Sequence, residues 1–473
     1  MPKLSTSFRR DVLRLVSGTA GAQSLTIMAS PLLTRLFDVN DFGLLAVYSS
    51  LLAIIGVVAS LRYEMAIPLP ESEQDAVNLV AVCLFLVSFT AVLSLVYVLL
   101  LGGVTSAMLG VPGLAKFLWL LPVGALLNGY YTVFNYYCAR GKRFDVVAKT
   151  RWMQALVSIA IQLGTFKLGA AALLLGQVSS KSAGVLKLAR TALKQSAFSS
   201  ISAYGMLALA QRYRRFPLFS TGEGLANAAS LQLPPLMFAA FFGPSAAGVY
   251  SLAMRILQMP MTLIGSAIGQ VFFAHAAEAR RSGTLGGLVM QLHTRLASIG
   301  LPPALVLIFS GPELFALVFG EEWRLAGICA RWLAPWLYLV FVSSPMSTLF
   351  SVLERQERGL AFQAVLLFVR CGAIASGAWI GDFLLTVRLF AGFSALCWAC
   401  FIIWLGRAAG ISAIRMLQPT LPALLAATTC SSPLIALYVT GSVSQFNVLA
   451  GAVLSVVLIA AHYYKMHIRE NTI

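Results

Sequence analysis

Apolar positions along this chain neither alternate nor form stripes. They run together in long blocks broken by charges, glycines and prolines. From Leu84 to Leu101 only small hydroxyl residues interrupt the block. That suits a helix surrounded by lipid and not a barrel strand, which alternates over about ten residues. Fourteen such blocks predict helices, with approximate limits 13–36, 42–66, 76–101, 114–138, 146–166, 170–192, 217–241, 246–273, 288–310, 325–352, 359–379, 383–405, 416–439 and 446–464. Each is long enough to cross about 30 Å of hydrocarbon. The predicted fold is all-α and polytopic. Residues 1–193 would form a first bundle of six helices, 194–216 a cytoplasmic linker and 217–405 a second bundle. Residues 406–473 would add two helices and a tail.

Composition agrees. Of 473 residues, 59% are hydrophobic and 11% charged, with a mean hydropathy of +0.84. Soluble domains average about 45–50% apolar and about 25% charged, so an ordinary cytosolic enzyme and a disordered chain are excluded. Seven cysteines are too sparse for a disulfide-built secreted domain. The stretch 13–36 lacks the short apolar core and small-residue site of a cleaved signal and reads as the first span.

The net charge is +17. With the N-terminus inside, 25 of the 34 Lys and Arg fall on the inner side. Five fall outside (Arg35, Lys116, Lys167, Arg324, Arg388) and four within spans (Lys181, Arg255, Arg331, Arg370). This is the positive-inside bias of a multi-pass inner-membrane protein with both termini cytoplasmic. The charge is therefore topology plus attraction to anionic membrane lipid. No nucleic-acid partner is expected, because the basic residues are scattered over short loops.

The loops exclude much chemistry. Outer links are short, and the longest inner one, near 193–216, is too small for a catalytic domain. His275, His293, His462 and His467 form no H-E-x-x-H, and there is no P-loop. Cys397 and Cys400 form a lone C-x-x-C inside a span, which reads as a packed helix face. Gly265 and Gly269 form a G-x-x-x-G that reads as close helix packing. Neither a resident metal nor a cofactor is expected. The protein has to act on something that enters between its helices.

Polar groups at membrane depth show where. A charge in hydrocarbon costs about 2.5–3.5 kcal/mol, so it faces a cavity or a partner. In the first span Thr19, Gln23, Thr26 and Ser30 recur with a period near 3.6 and share one face. Arg62 and Glu64 end the second span, and Lys181 lies in the sixth. The seventh carries Glu223 and Asn227, the eighth Arg255 and Gln258, the tenth Arg331, and the eleventh Gln363 and Arg370. Each has a plain structural alternative: snorkelling, an ion pair with a neighbour, or a helix-end contact. Several arginines against few acids favour an anionic substrate, because a guanidinium presents a fork of donors suited to phosphate. Glu223 is the candidate coupling group for H+ or Na+.

The punctuation of the first two spans is echoed about 204 residues later. Pro31, Phe37, Gly43 and Tyr48 answer to Pro235, Phe242, Gly248 and Tyr250 within one or two positions. Parallel six-helix halves with a central cavity are an established transporter plan.

Four local features then carry a resemblance. They are Pro31-Leu32-Leu33-Thr34-Arg35-Leu36-Phe37 with Asp41-Phe42-Gly43; Leu61-Arg62-Tyr63-Glu64-Met65-Ala66-Ile67-Pro68-Leu69-Pro70; Gly248-Val249-Tyr250 leading to Arg255-Ile256-Leu257 and Pro260; and Val318-Phe319-Gly320-Glu321-Glu322-Trp323. With fourteen spans, the chain resembles over nearly its whole length the oligosaccharide flippase (Wzx-type polysaccharide transporter) family of the multidrug/oligosaccharidyl-lipid/polysaccharide exporter superfamily. The resemblance implies a V-shaped cavity between two bundles and alternating access. It implies transfer of a prenyl-diphosphate-linked oligosaccharide to the outer leaflet, for lipopolysaccharide O-antigen, capsule or exopolysaccharide, alongside other polysaccharide assembly proteins. Lipid II flippases, similar in plan, use cavity arginines on helices 1, 2 and 8; by position these answer to Arg35, Arg62 and Arg255. Two alternatives stay open: a cation-coupled multidrug antiporter of the same superfamily, and a membrane glycan polymerase or ligase.

Overall fold

The computed structural model describes residues 6–193, 198, 201–259, 261, 266–353, 355–442 and 444–471, with no strand among them. Among the described residues nineteen α-helices follow in order. They are α1 (Thr6–Leu36), α2 (Val39–Val58), α3 (Glu73–Met108), α4 (Leu120–Arg140), α5 (Phe144–Gly164), α6 (Ala170–Leu193), α7 (Ala203–Arg212), α8 (Thr221–Phe242), α9 (Pro244–Leu257), α10 (Ser266–Arg281), α11 (Leu285–Phe319), α12 (Arg324–Ser343), α13 (Leu349–Val352), α14 (Gln356–Ile380), α15 (Phe383–Ala408), α16 (Ala413–Leu417), α17 (Thr420–Cys430), α18 (Ser432–Val439) and α19 (Gln445–Asn471).

Among the described residues, each predicted block contains helix, though not always over its whole length. Among the described residues, eight helices are long and apolar enough to cross a membrane alone. The pair Ala413–Cys430 and Ser432–Val439, bent by 69°, makes a ninth. The chain is thus a multi-pass membrane protein. The more polar α1, α4, α5 and α6 are 31, 21, 21 and 24 residues long. Outward-facing Phe85, Phe89, Leu99 and Leu100 on α3 would aggregate in water and are at rest in lipid.

Local chemistry sets the ends. Asp38, Ser72 and Asp382 cap α2, α3 and α15 by accepting from the backbone N–H three residues on, at 2.8, 3.0 and 3.0 Å. Where the structure departs from the expected limits, the cause is visible. The expected helix 42–66 stops at Val58. There the chain turns through Leu61 and Arg62, both with positive φ, into a 3-10 turn over Tyr63–Ala66. The expected helix 325–352 breaks at a 3-10 turn, Ser344–Thr348, that holds Pro345. The expected helix 416–439 bends at Ser431. There Pro433 has no N–H to give, and the Thr429 carbonyl accepts from the Ser432 hydroxyl instead, at 2.8 Å. In the expected helix 246–273, α9 ends at Leu257 and α10 begins at Ser266. Pro260 and Gly265 lie outside the described residues. The expected inner loop holds α7, which is capped by Ser202 and packs on α3.

Packing divides the chain into two units, Met1–Gly248 and Val249–Ile473. The helix expected over 217–241 therefore packs with the first unit. In that unit α5 lies between α1 and α6, α4 touches α3 and α6, and α2 lies along α8. Its core gathers Val77, Val80, Cys83, Phe134 and Leu188. The start of α9 crosses α2 backbone against backbone. A Cβ at Gly43 would stand 1.9 Å from the Pro244 carbonyl oxygen, and one at Gly248 would stand 2.3 Å from that of Val39. Two glycines of the internal echo thus meet, and only glycine fits at either. In the second unit α11 packs on α12, α17 and α19, and α15 packs on α12 and α14.

Candidate functional site

The polar face of α1 divides into two kinds of residue. Thr26 donates to the Ala22 carbonyl at 3.0 Å and Ser30 to that of Thr26 at 2.9 Å, so both hydroxyls turn back on their own helix. Thr19 reaches outward and accepts from Nη1 of Arg151 on α5. Gln23 is half-buried one turn further along α1. The helix of Arg151 packs along α6, which carries Lys181. The Lys181 ammonium stands 5.0 Å from the centre of the Tyr131 ring on α4. Gln154, one turn beyond Arg151, keeps a buried Nε2 without a hydrogen-bond partner. Four helices thus set two cations against a hydroxyl and a π face. An anion placed against either would neutralise it.

Arg62 forms a second centre. Left-handed backbone costs a non-glycine residue about 1–2 kcal/mol, and Leu61 (φ 50°) and Arg62 (φ 63°) are both in it. This turn lays the guanidinium on Gly224 of α8, where a Cβ would stand 3.0 Å from both Nε and Nη2. Nη1 faces Oε1 of Glu64 at 3.9 Å, and buried Glu64 also accepts from the Ser60 hydroxyl. The Arg62 Nε is buried with no hydrogen-bond partner, a deficit of about 1–3 kcal/mol that an acceptor would cancel. Exposed Glu223 precedes Gly224, and exposed Asn227 follows one turn on.

Arg140 fixes the segment beyond Arg62. Its Nη1 donates to the carbonyls of Pro68 (3.3 Å) and Pro70 (2.5 Å), and its Nη2 to those of Glu71 and Ser72 (3.3 Å each). Its Nε meets the Glu73 carboxylate at 3.4 Å.

The remaining predicted cations are Arg35 in the first unit and Arg255, Arg331 and Arg370 in the second. Arg35 is exposed in the last turn of α1. In the second unit Arg255 is exposed in the last turn of α9, with half-buried Gln258 just beyond. Arg331 has structural partners: its Nη2 donates to the Phe309 carbonyl (3.3 Å) and meets the Tyr438 hydroxyl (3.2 Å), joining α12, α11 and α18. Arg370 is buried, bonds Ser394 at 3.3 Å, and lies 4.9 and 5.8 Å from the ring centres of Trp336 and Phe390. The fourth motif is a turn between α11 and α12. Arg324 ties Glu321 (2.5 Å) to Glu313 (3.7 Å) above the fully buried Trp323.

From the sequence, Arg140 and Arg151 are expected among the inner-side charges. Arg151 already fell five residues inside the helix expected over 146–166, which was the available signal. Nothing in the sequence placed four carbonyls around Arg140.

The architecture is that of membrane transporters. The lipid II flippase MurJ in an inward closed conformation superposes with a TM-score of 0.69 at 11% identity, over 94% of this chain and 99% of that one. An inward-facing multidrug resistance MATE family transporter of the MOP superfamily gives 0.59 at 14% identity, over 86% and 94%. At such identities the likeness is one of fold. The family model for polysaccharide biosynthesis protein matches residues 32–326, and the chain belongs to that family. The succinoglycan biosynthesis transport protein ExoT of Rhizobium meliloti (strain 1021) is 26% identical over 196 residues, 40% of this chain; the match spans 36% of that relative's length.

Proposed function

We propose that this protein is a flippase that moves a prenyl-diphosphate-linked oligosaccharide from the inner to the outer leaflet of a bacterial inner membrane by alternating access. It would supply lipopolysaccharide O-antigen, capsule or exopolysaccharide synthesis and work beside other polysaccharide assembly proteins. One observation carries the reading. Arg151 and Lys181 lie on the packed helices α5 and α6 and are met, among the described residues, by the Thr19 hydroxyl and the Tyr131 ring rather than by carboxylates. The diphosphate is the part of the substrate that cannot cross lipid unaided, and cations held at depth lower its desolvation cost. Arg62, with an unsatisfied donor, and the exposed Arg255 are further phosphate contacts. Each contact has to weaken in the opposite conformation, or the substrate would not leave. An inside-negative membrane potential favours outward transfer of an anion by about 2.3 kcal/mol per charge per 100 mV. Glu223 is the coupling carboxylate for H+ or Na+, and Glu223→Gln should remove the dependence of transport on one ion gradient.

The test is mass spectrometry of lipid extracts from a deletion strain, with a leaflet assay. Inner-leaflet prenyl-diphosphate oligosaccharide should accumulate and be cleared by the intact gene but not by Lys181→Met or Arg255→Ala. No accumulation, with new sensitivity to cationic drugs, would replace the flippase by the antiporter.

A further inference from the structure

A pocket of about 870 Å³ opens on the first unit beside α1 and α5. One face of α5 supplies most of its wall, with Asp145, Lys149, Trp152, Met153 and Leu156; Lys187 of α6 stands across. The order along α5 is polar to apolar. Asp145 and Lys149 lie in its first two turns, directly after the basic inner loop that holds Lys142 and Arg143. Trp152, Met153 and Leu156 follow toward the middle of the membrane. From 145 to 156 the helix rises about 16 Å, about half of a 30 Å hydrocarbon core. The pocket therefore has the polarity, direction and depth of one inner-leaflet lipid. Trp152 and Leu156 are exposed at it, as are Asp145 and Lys149.

We propose that this pocket is a binding site for an anionic glycerophospholipid of the inner leaflet. The phosphate lies between the Lys149 and Lys187 ammoniums, and an acyl chain lies on Trp152 and Leu156. Two amines against one carboxylate leave the headgroup end positive, which selects an anionic over a zwitterionic lipid. A depth of one leaflet suits a phospholipid chain and not the longer prenyl chain of the proposed substrate. The site is separate from the Arg151–Lys181 pair and does not depend on the flippase reading.

Trp152 reports on its own site. The full-length protein would be reconstituted with dibrominated phosphatidylglycerol or dibrominated phosphatidylcholine. The Trp152 signal is the difference between the wild type and Trp152→Phe. Phosphatidylglycerol should quench that component at a roughly ten-fold lower mole fraction than phosphatidylcholine. Lys149→Ala/Lys187→Ala should abolish the preference, and Asp145→Asn should enlarge it. Equal quenching by both lipids, or a preference that neither variant changes, would overturn the proposal. So would displacement of the brominated lipid by an equimolar prenyl phosphate, since that would make the pocket a carrier-lipid site. Asp145→Asn keeps the test decisive if the double variant does not fold.

Discussion

Arg62 combines a strained backbone with an under-satisfied cation, and the two can be separated by comparing Arg62→Ala with Arg62→Gly. Both delete the guanidinium, its 3.9 Å approach to Glu64 and its contact with Gly224. They differ only in backbone freedom at φ 63°. Alanine keeps the left-handed cost of about 1–2 kcal/mol, whereas glycine does not. Glycine also loosens the unfolded chain, which offsets about 0.4–1 kcal/mol. The difference left is about 0.5–1 kcal/mol in favour of glycine. For a unit of this size that is a gain of about 1–4 °C in melting temperature over Arg62→Ala. Thermal unfolding of the detergent-purified proteins, followed by tryptophan fluorescence, measures it, and clearance of accumulated lipid-linked oligosaccharide measures transport. The expected outcome is that Arg62→Gly is the more stable of the two while both fail to transport. Equal melting would show that the turn carries no strain. Full transport by either would remove Arg62 from the substrate path.

Three further outcomes follow from the packing. Gly43→Ala forces a methyl into backbone at a crossing with no side chain able to yield; it should destabilise by about 1–3 kcal/mol, read as a lower melting temperature, while Gly113→Ala, with only side-chain atoms at 3.9 Å or more, should melt like the wild type. Arg140→Lys keeps the charge but loses the fork that reaches four carbonyls, so limited proteolysis should cut near residues 68–72 faster, at a stability cost of about 1–2 kcal/mol. Lys181→Met and Arg331→Met should diverge: the first melts normally but does not transport, and the second melts several degrees lower yet transports at permissive temperature; the reverse pattern would exchange the roles assigned to them.

The helices were legible because a lipid-spanning segment declares itself in any window of about 20 residues. Their ends were less legible: the helices capped by Asp38 and Ser72 begin before the expected starts at 42 and 76, and the helix that stops at Gly320 runs past its expected end at 310. The break after Val58 was not legible, because no glycine or proline marks Leu61 and Arg62; that turn is held by Ser60, Glu64 and the glycine on α8. Helix α7 was missed because ten residues with a small apolar face resemble a loop until α3 supplies the surface to cover it.

The cations at depth show why the site itself was harder to read. In sequence Lys181, Arg331 and Arg370 look alike: one basic residue within an apolar block, each with the same insertion cost. Their partners separate them, and every partner is remote in sequence. Tyr438 and the Phe309 carbonyl hold Nη2 of Arg331, while its Nε is buried without a hydrogen-bond partner. Ser394 and two aromatic rings enclose Arg370. Among the described residues Lys181 meets only the face of the Tyr131 ring. Periodicity reports which face of a helix a residue occupies and nothing about what lies opposite. Arg331, bonded to a carbonyl and a hydroxyl on two other helices, is fastened between them. Lys181, met by a ring face and by no carboxylate among the described residues, keeps a charge that a passing anion can neutralise.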